Sequence, residues 1–390
     1  MRETRAVVRV SPVAILGLAL LLALQAGPAS AGAVCGDGVI DLGEECDDGG
    51  VADFDGCTRT CRYEAIQHVD SLALHAGSAP SSCVPTTNQL GNAFSALGLP
   101  AFNNALSNAV ASGQLIMLFD LLDLDEAVGQ QDAGVEVGLL GGVPDPADPS
   151  PGGFDAWYLV GDAQLDGNGR PSQRLTGGSI AAFALAAGPS NVSLPFLGGT
   201  LNVLGARFEA LVDTTASTPA PPPFELAPGL VAFETLDAGG ASRGLCGNLT
   251  VGSLAAIPVP PDVTVGGNAC SASCASSRSY VACGAGPVTA SCHSLLDLLV
   301  GGCRIQPPLC FNLISPTQPD LGVGGNPPHA LSFADSGGGI EKVMVVEPGD
   351  AYSSWFSVTS ERVHATDNLN RIFNDGFESA GTGAWSATLP

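Results

Sequence analysis

The chain has 390 residues, of which 45% are hydrophobic and only 13% are charged, and its formal net charge is −24. Such an acidic molecule repels phosphate backbones and anionic membrane surfaces, so nucleic acid is excluded as a natural partner. The scarcity of charged residues disfavours long surface helices, and 51 Gly with 29 Pro predict many turns. We expect a mainly β protein with two folded domains and one small module.

Residues 1–31 have the pattern of a secretory signal peptide. Three arginines precede an apolar run at 13–24, and Ala29-Ser-Ala31 forms a small-residue cleavage site. A membrane anchor is the weaker interpretation, because the run is too short to span a bilayer comfortably. We therefore predict an exported chain, secreted or at the cell surface, with no membrane span after this segment is removed.

Residues 35–61 hold four cysteines and six glycines but too little apolar material for a core. Covalent bonds or a bound ion must therefore hold this segment. The motif consists of Cys35-Gly-Asp-Gly38, Gly43-Glu-Glu-Cys46-Asp-Asp-Gly49, Asp55-Gly-Cys57 and Cys61. It resembles one copy of the myxobacterial-type cysteine-rich repeat, a domain of unknown function found in secreted bacterial proteins. The resemblance implies a disulfide-bonded surface module with no known catalytic activity.

The same segment carries a dense set of carboxylates. Asp47, Asp48, Asp53 and Asp55 lie among glycines that let the backbone turn its oxygens inward. Calcium binds about six to eight such oxygens, so calcium is the one cofactor that the sequence raises, although the loop lacks the full spacing of an EF-hand. The other interpretation is that these are solvated turn residues whose repulsion the disulfides overcome.

One convincing helix is predicted in the first half of the chain, within residues 83–113. Pro100 suits a first helical turn, because its missing N–H and fixed φ cost nothing there. Phe102, Leu106 and Val110 then recur at helical spacing, and a glycine ends the pattern.

Five segments between residues 114 and 212 are predicted to form strands. The segments are 114–124, 135–140, 156–160, 179–186 and 201–212. In the last of these, Leu204, Ala206 and Phe208 share one face. Arg207 and Glu209 share the other face. Such alternation is typical of an antiparallel β-sandwich or a barrel-like fold with one buried and one wet face.

The character of the chain changes near residue 243, because seven of the twelve cysteines follow that point. We therefore predict a β-rich domain at 68–243 and a cysteine-rich β domain at 244–369. The second contains a short apolar helix at 294–300 and strands at 343–346 and 355–359.

The end of the chain carries a short motif, Asp375-Gly-Phe-Glu-Ser379, followed by Trp385. Residues 370–390 thereby resemble a terminal motif of secreted bacterial proteins, whose role the resemblance does not define. The other interpretation is the first strand of a truncated jelly-roll or laminin-G-like module. No apolar tail or basic cluster follows, so a cleaved membrane-anchoring signal is not predicted.

The cysteines form an even set in a chain predicted to be exported, which favours disulfides with no free thiol. They are Cys35, Cys46, Cys57, Cys61, Cys83, Cys246, Cys270, Cys274, Cys283, Cys292, Cys303 and Cys310. The sequence leaves their pairing open. A zinc site at Cys270, Cys274, Cys292 and His293 is the sharper interpretation, but no CxxC pair exists and export oxidises thiols.

One pattern invites a hydrolase interpretation. Asp335-Ser-Gly-Gly338 is similar to the nucleophile motif of trypsin-like proteases, but Ala334 stands where that family needs Gly. None of His68, His75 and His293 lies in the sequence context of that family's catalytic base, and a serine without a positioned base is only a hydroxyl. We predict a glycine-rich turn there.

The acidic string Asp120, Asp123, Asp125 and Glu126 could supply paired carboxylates for glycoside hydrolysis. Carboxylates at the exit of a strand more often belong to a surface turn, which is the favoured interpretation. Neither a P-loop, a dinucleotide fingerprint nor an HExxH motif occurs in the sequence.

The sequence therefore favours a secreted, non-enzymatic protein with a structural, protein-interaction or adhesion role, whose partner is an extracellular protein or a glycan. The alternative is an exported hydrolase or carbohydrate-binding protein whose site is assembled from distant residues. A carbohydrate-binding protein would be expected to expose several aromatic side chains, whereas this chain has three Trp and four Tyr.

Overall fold

The structure is a computed structural model that describes residues 34–39, 41, 44, 58, 60–61, 63–124, 131–144, 157–167, 169–196, 199–212, 233–234, 243–257, 264–265, 268–269, 294–304, 312–335 and 341–367. Within these residues the protein is mainly β, as predicted. The predicted signal peptide, most of the predicted repeat and the motif at 370–390 lie outside them. None of the helices formed by these residues is both long enough and apolar enough to cross a membrane.

Nineteen strands are formed in this part of the chain. They are β1 (Tyr63–Leu74), β2 (Met117–Leu124), β3 (Gln131–Asp132), β4 (Glu136–Pro144), β5 (Trp157–Val160), β6 (Arg174–Leu175), β7 (Ser179–Ala181), β8 (Ala184–Phe196), β9 (Gly199–Val212), β10 (Phe233–Glu234), β11 (Gly244–Thr250), β12 (Thr264–Val265), β13 (Asn268–Ala269), β14 (Cys303–Arg304), β15 (Asn312–Ile314), β16 (Ser332–Asp335), β17 (Glu341–Met344), β18 (Ala351–Arg362) and β19 (His364–Asp367).

Four α-helices accompany the strands in the described residues: α1 (Gln89–Ala93), α2 (Gly98–Ala111), α3 (Val251–Ala256) and α4 (Leu295–Gly301). α2 is the helix predicted from periodicity, and its Phe102, Leu106 and Val110 side chains are buried as expected. α4 confirms the helix predicted at 294–300. It begins with a reciprocal capping box between Ser294 and Asp297, which satisfies backbone donors at the helix start.

Thirteen strands join in one sheet, whose order is β19-β5-β4-β2-β1-β18-β11-β9-β8-β7-β3, with β6 on β4 and β10 on β9. Every pairing in it is antiparallel except that of β19 with β5. The sheet curls so that the chain leaving β6 meets β8, where Gly188 N donates to Thr176 O at 3.1 Å. The barrel-like interpretation of the sequence fits this curl.

Two predicted strands are corrected in detail. The segment 179–186 is a hairpin rather than one strand, because Ala182 and Phe183 have positive φ and turn β7 back into β8. In β9 the buried positions change phase near Gly205, whose φ is +60°. Val203 is therefore buried in place of Leu204, because the pairing of β9 with β8 and with β11 shifts register nearby.

The curled sheet encloses the large core, defined here by the buried apolar residues that extend from β1 to β18 and include all four helices. Phe119 and Phe208, both fully buried, meet edge to face within it at 5.0 Å between ring centres. The boundary predicted near residue 243 is corrected, because β11 begins at Gly244 and pairs with both β9 and β18. Residues on the two sides of that point share one sheet and one core.

A second, small core lies on the opposite face of β1, β2 and β4. Its buried residues are Ile66, Ile116, Leu118, Leu140, Tyr158, Val160, Val363 and Ala365. β5 and β19 cover it, and Val363 N donates to Ile66 O at 3.2 Å where β18 gives way to β19. The outer part of the sheet therefore curls a second time, in the opposite sense, around only eight buried side chains.

Candidate functional site

Two disulfides are formed in the described residues. Cys35 is bonded to Cys61 and thereby links the two ends of the predicted repeat. Cys83 is bonded to Cys246, 163 positions away, and packs with Ala79 and Trp355. The prediction of disulfides is confirmed for these four cysteines.

The remaining predicted site residues fall outside the structure's description. This holds for Cys46, Cys57, Cys270, Cys274, Cys283, Cys292 and Cys310, for the calcium candidates Asp47, Asp48, Asp53 and Asp55, and for Ser336, Asp125 and Glu126. The backbone of Cys303 lies in β14. No three His, Cys, Asp or Glu side chains gather to hold a metal ion in the residues that are described. The calcium site stays a prediction.

A cleft of about 560 Å³ lies at one end of the small core. Four stretches of chain build it: the turn from α2 into β2, the second half of β4, the end of β5 with the turn after it, and the ends of β8 and β9. Its described lining residues are Gly113, Gln114, Leu115, Ile116, Gly141, Gly142, Val143, Leu159, Val160, Gly161, Gln164, Phe196 and Gly199. None of these residues is charged.

Gly142 packs closely in the lining of the cleft. A Cβ at this position would meet Leu118 Cδ1 at 2.9 Å and Ile116 Cγ2 at 3.2 Å, so a larger residue requires these core side chains to shift. Beside it, the Gln164 amide replaces a strand partner: its Nε2 donates to Gly141 O and its Oε1 accepts from Gly141 N, both at 2.7 Å. These bonds hold the turn after β5 against β4 and leave Val143, which is 57% exposed, at the rim.

Two residues of the acidic string, Asp120 and Asp123, are described by the structure, and their environments differ. Asp120 is fully buried in β2, and Asp123 lies at the strand end with φ +60°. Asp123 accepts a hydrogen bond from Arg170 Nη2 at 2.5 Å, and Glu136 lies 3.3 Å from the same nitrogen. Asp123 is therefore an arginine partner at the strand end, whereas Asp120 lies buried inside the sheet rather than in the surface turn that the sequence favoured.

The ion pairs of Arg170 and Arg174 also hold the loop at 166–174, which lies beside the small core. Burial alone would lower the pKa of Arg170, but the hydrogen bond that it donates to Asp123 and the charges of Asp123, Glu136 and Asp120 raise it, so the guanidinium stays charged. Arg174 contacts Glu136 at 3.2 Å and Asp166 at 2.9 Å. These pairs tie β4 to the loop at 166–174.

One histidine does contact a hydroxyl. His75 Nε2 lies 2.7 Å from Ser357 Oγ, and the imidazole stacks on Trp355 with ring centres 4.5 Å apart. Burial lowers the pKa of His75, so the ring is neutral near pH 7. The two residues are 282 positions apart, and sequence spacing gives no sign of their proximity.

The buried carboxylate of Asp350 anchors the loop before β16. It accepts hydrogen bonds from Val323 N at 3.2 Å and His329 N at 2.6 Å, and the His329 ring nitrogen Nδ1 lies 2.9 Å away. Burial alone would raise the pKa of Asp350, but these bonds and the charge of His329 outweigh burial and lower it. This group has a structural role at the start of β18.

Searches of family models, curated proteins and solved structures found no match to the chain. The site therefore has to be judged from its own geometry. The cleft was not predicted from the sequence, because its walls come from four separate segments whose described residues are uncharged and carry no recognisable motif.

Proposed function

We propose that this chain is an exported, non-enzymatic interaction protein that binds an uncharged, apolar segment of another extracellular protein in the cleft. The observation that carries the proposal is the cleft itself: about 560 Å³ in volume, with a described lining of Gly, Gln, Leu, Ile, Val and Phe. Ligand sites of proteins are commonly concave, largely apolar and in this size range. The described lining offers neither a nucleophile nor a titratable acid or base.

The aliphatic lining favours a peptide over a glycan. Phe196 is the one aromatic residue in the described lining, and it is only 6% exposed, so it offers no ring face for stacking on a sugar. Val143, which is 57% exposed, is the side chain that the lining offers to an apolar ligand instead. The amide of Gln114 and the exposed glycine backbone supply the few polar groups that would orient a peptide.

Export is the second part of the proposal. The pattern of residues 1–31 supports it, and so do the two disulfides, because such bonds persist in oxidising compartments. The acidic net charge is suited to a soluble extracellular molecule that avoids nucleic acid.

The direct test is a binding screen of the full chain against a displayed library of uncharged, apolar peptides. Val143→Glu places a carboxylate at the rim, and Val346→Glu, at a position 50% exposed and outside the cleft lining, adds the same charge elsewhere. We expect peptides whose affinity falls at least about tenfold in the first variant and is unchanged in the second, because burying an unpaired charge is costly. A screen in which no ligand responds to Val143→Glu would overturn the proposal.

An exported hydrolase is the second candidate, and the His75–Ser357 contact is the observation that favours it. The serine lies on a central strand and has a neutral base at hydrogen-bonding distance, which is the first requirement of a nucleophile. A fluorophosphonate probe tests this candidate. We expect no labelling, whereas stoichiometric labelling that Ser357→Ala or Ser336→Ala abolishes would replace the binding proposal with the hydrolase.

A further inference from the structure

The strand that forms one wall of the cleft packs on a buried histidine. β5 contributes Leu159 and Val160 to the cleft lining. The preceding residue of the strand, Tyr158, stacks on His68 of β1 with an angle of 16° between the ring planes. β5 has only four residues, and three of them pair with β4. The position of this wall therefore depends on side-chain packing as well as on backbone pairing.

The small core accommodates His68 as a neutral ring. The residue is 8% exposed, and its Nδ1 atom is buried without a hydrogen-bond partner among the described residues. Its cross-strand neighbour on β2 is the fully buried Leu118. A protonated imidazole has two N–H donors and a charge, and burying them without partners is costly. Burial therefore lowers the pKa of His68 from its usual value of 6.5, and the ring is uncharged near pH 7.

Two acids near His68 favour its charged form. Glu361 of β18 pairs with His68 across the strands, and Asp70 lies two positions after it in β1. Their charges raise the pKa of His68, but burial has the larger effect. Both acids are more exposed than the histidine, so a ring that moves out of the small core toward them gains solvent as well as opposite charge.

Strands β2 and β5 each place one titratable side chain near His68. Asp120 lies diagonally across from it, because Asp120 pairs with Ile66, two positions earlier in β1. On β5 the titratable group is Tyr158, the stacked ring. Neither side chain carries a positive charge that would oppose protonation of the imidazole.

We propose that protonation of His68 releases β5 from the small core and thereby removes one wall of the cleft, so that the bound segment dissociates in acid. This inference rests on the proposed function and adds a regulation to it. The charged ring leaves Tyr158 and turns toward Glu361. Because burial lowers the pKa of the folded ring, the closed form has its full advantage above the usual value of 6.5 and loses it as the pH falls through the folded pKa.

Hydrogen exchange in the full chain tests this release without any ligand. The protection of the β5 amides, corrected for the intrinsic exchange rate at each pH, should fall at least about fivefold between about pH 7.5 and about pH 5.5, because a titrating histidine changes an opening equilibrium by up to about tenfold per pH unit. His68→Phe keeps a ring beneath Tyr158 but binds no proton, so its protection should not depend on pH. Equal protection at both pH values in the unmodified chain would overturn the inference.

Two further variants separate His68 from general acid destabilisation. Glu361→Gln removes the carboxylate that stabilises the charged ring, so the loss of protection should move to lower pH. His329→Gln changes a histidine that lines neither the small core nor the cleft, so the loss should stay where it is. An identical pH dependence in the two variants would refute the role of His68.

An uncharged peptide found in the binding screen distinguishes this inference from the proposed function. Its affinity should fall at least about fivefold between the same two pH values in the unmodified chain and should not change in His68→Phe. A peptide that binds equally well at both pH values would leave the proposed function standing and reject its regulation by His68. A screen without any ligand would reject the proposed function, and hydrogen exchange would still decide whether β5 is released.

Discussion

The large core and the small core lie on opposite faces of the same strands and have different roles. The large core lies inside the curled sheet and draws buried side chains from described segments along the chain between Ala65 and Val358. The small core lies on the other face of β1, β2 and β4, has eight buried members and ends at the cleft. One face of the sheet therefore supplies most of the buried apolar area, and the other face shapes a surface.

The small-core face of the sheet also carries buried polar side chains. His68 shares the small-core face with Ile66, is only 8% exposed and stacks on Tyr158 with ring centres 4.9 Å apart. Asp120 pairs with Ile66 across the strands and is fully buried. Burial lowers the pKa of His68, although the charges of Glu361 and Asp70 oppose the shift. The small core thus places a buried imidazole and a buried carboxylate beside only eight buried apolar side chains, so its residues should contribute less to stability.

Truncating one side chain in each core tests this difference most strongly. Phe208→Ala should cost about 3–5 kcal/mol of unfolding free energy, because it empties a fully buried site beside Phe119. Leu118→Ala should cost about 2–3 kcal/mol, near the low end for leucine, because the open end of the small core can relax. Urea unfolding measures both, and the exposed Val346→Ala is the control. A larger loss for Leu118→Ala would reverse the assigned roles.

The two described disulfides should differ in how much they contribute to the stability of the large core. Cys83→Ala combined with Cys246→Ala should lower global stability by about 2–4 kcal/mol, because the bond joins the segment between β1 and α1 to β11 across 163 positions. Cys35→Ala combined with Cys61→Ala opens a loop of 26 positions outside both cores. It should therefore lower the unfolding free energy of the large sheet less. Calorimetry of the two double variants decides the order. Equal losses would contradict it.

Acid should act on the large core through Asp350. Its pKa is lowered in the folded state, so its stabilising contribution is fully present above the unfolded value of 3.8 and is lost as pH falls through the folded pKa. Asp350→Asn should cost roughly 1–3 kcal/mol at pH 7 and less below pH 4, because it removes charged hydrogen bonds to Val323 and His329. Urea melts across pH 3–7 measure this, with the exposed Asp70→Asn as control. An equal cost at every pH would refute the assignment.

Calcium should have the smallest effect, and only on the repeat. If Asp47, Asp48, Asp53 and Asp55 bind calcium, then about 5 mM Ca²⁺, in the range of weak extracellular sites, should raise the melting temperature of the repeat by a few degrees. Asp55→Asn should abolish that rise and leave the calcium-free melting temperature unchanged or higher. An absence of both binding heat and thermal shift would leave the repeat as a module held by disulfides alone.

Two of the four described helices, α2 and α4, and several of the strands followed from local chemistry, whereas α1, α3 and the strands β1 and β11 were not predicted. Phe102, Leu106 and Val110 predict α2 because one helical face must be buried, and Ser294 begins α4 because its hydroxyl caps the first turn. The hairpin between β7 and β8 escaped prediction, because Ala182 and Phe183 are unusual residues for positive φ. The change in which side chains of β9 are buried was also not predicted. It follows from register shifts against two partner strands, which the sequence of β9 alone does not specify.

The sequence by itself determined the β class and the presence of disulfides, because composition and periodicity depend on the residues themselves and their near neighbours. Only the tertiary structure decided that residues on both sides of 243 share one core, that Cys83 meets Cys246, and that His75 meets Ser357. The cleft belongs to the second group, since Gly142, Val160 and Phe196 come together only when the sheet curls. Contacts between distant segments follow from how strands pair, and alternating apolar residues do not encode which strands become neighbours.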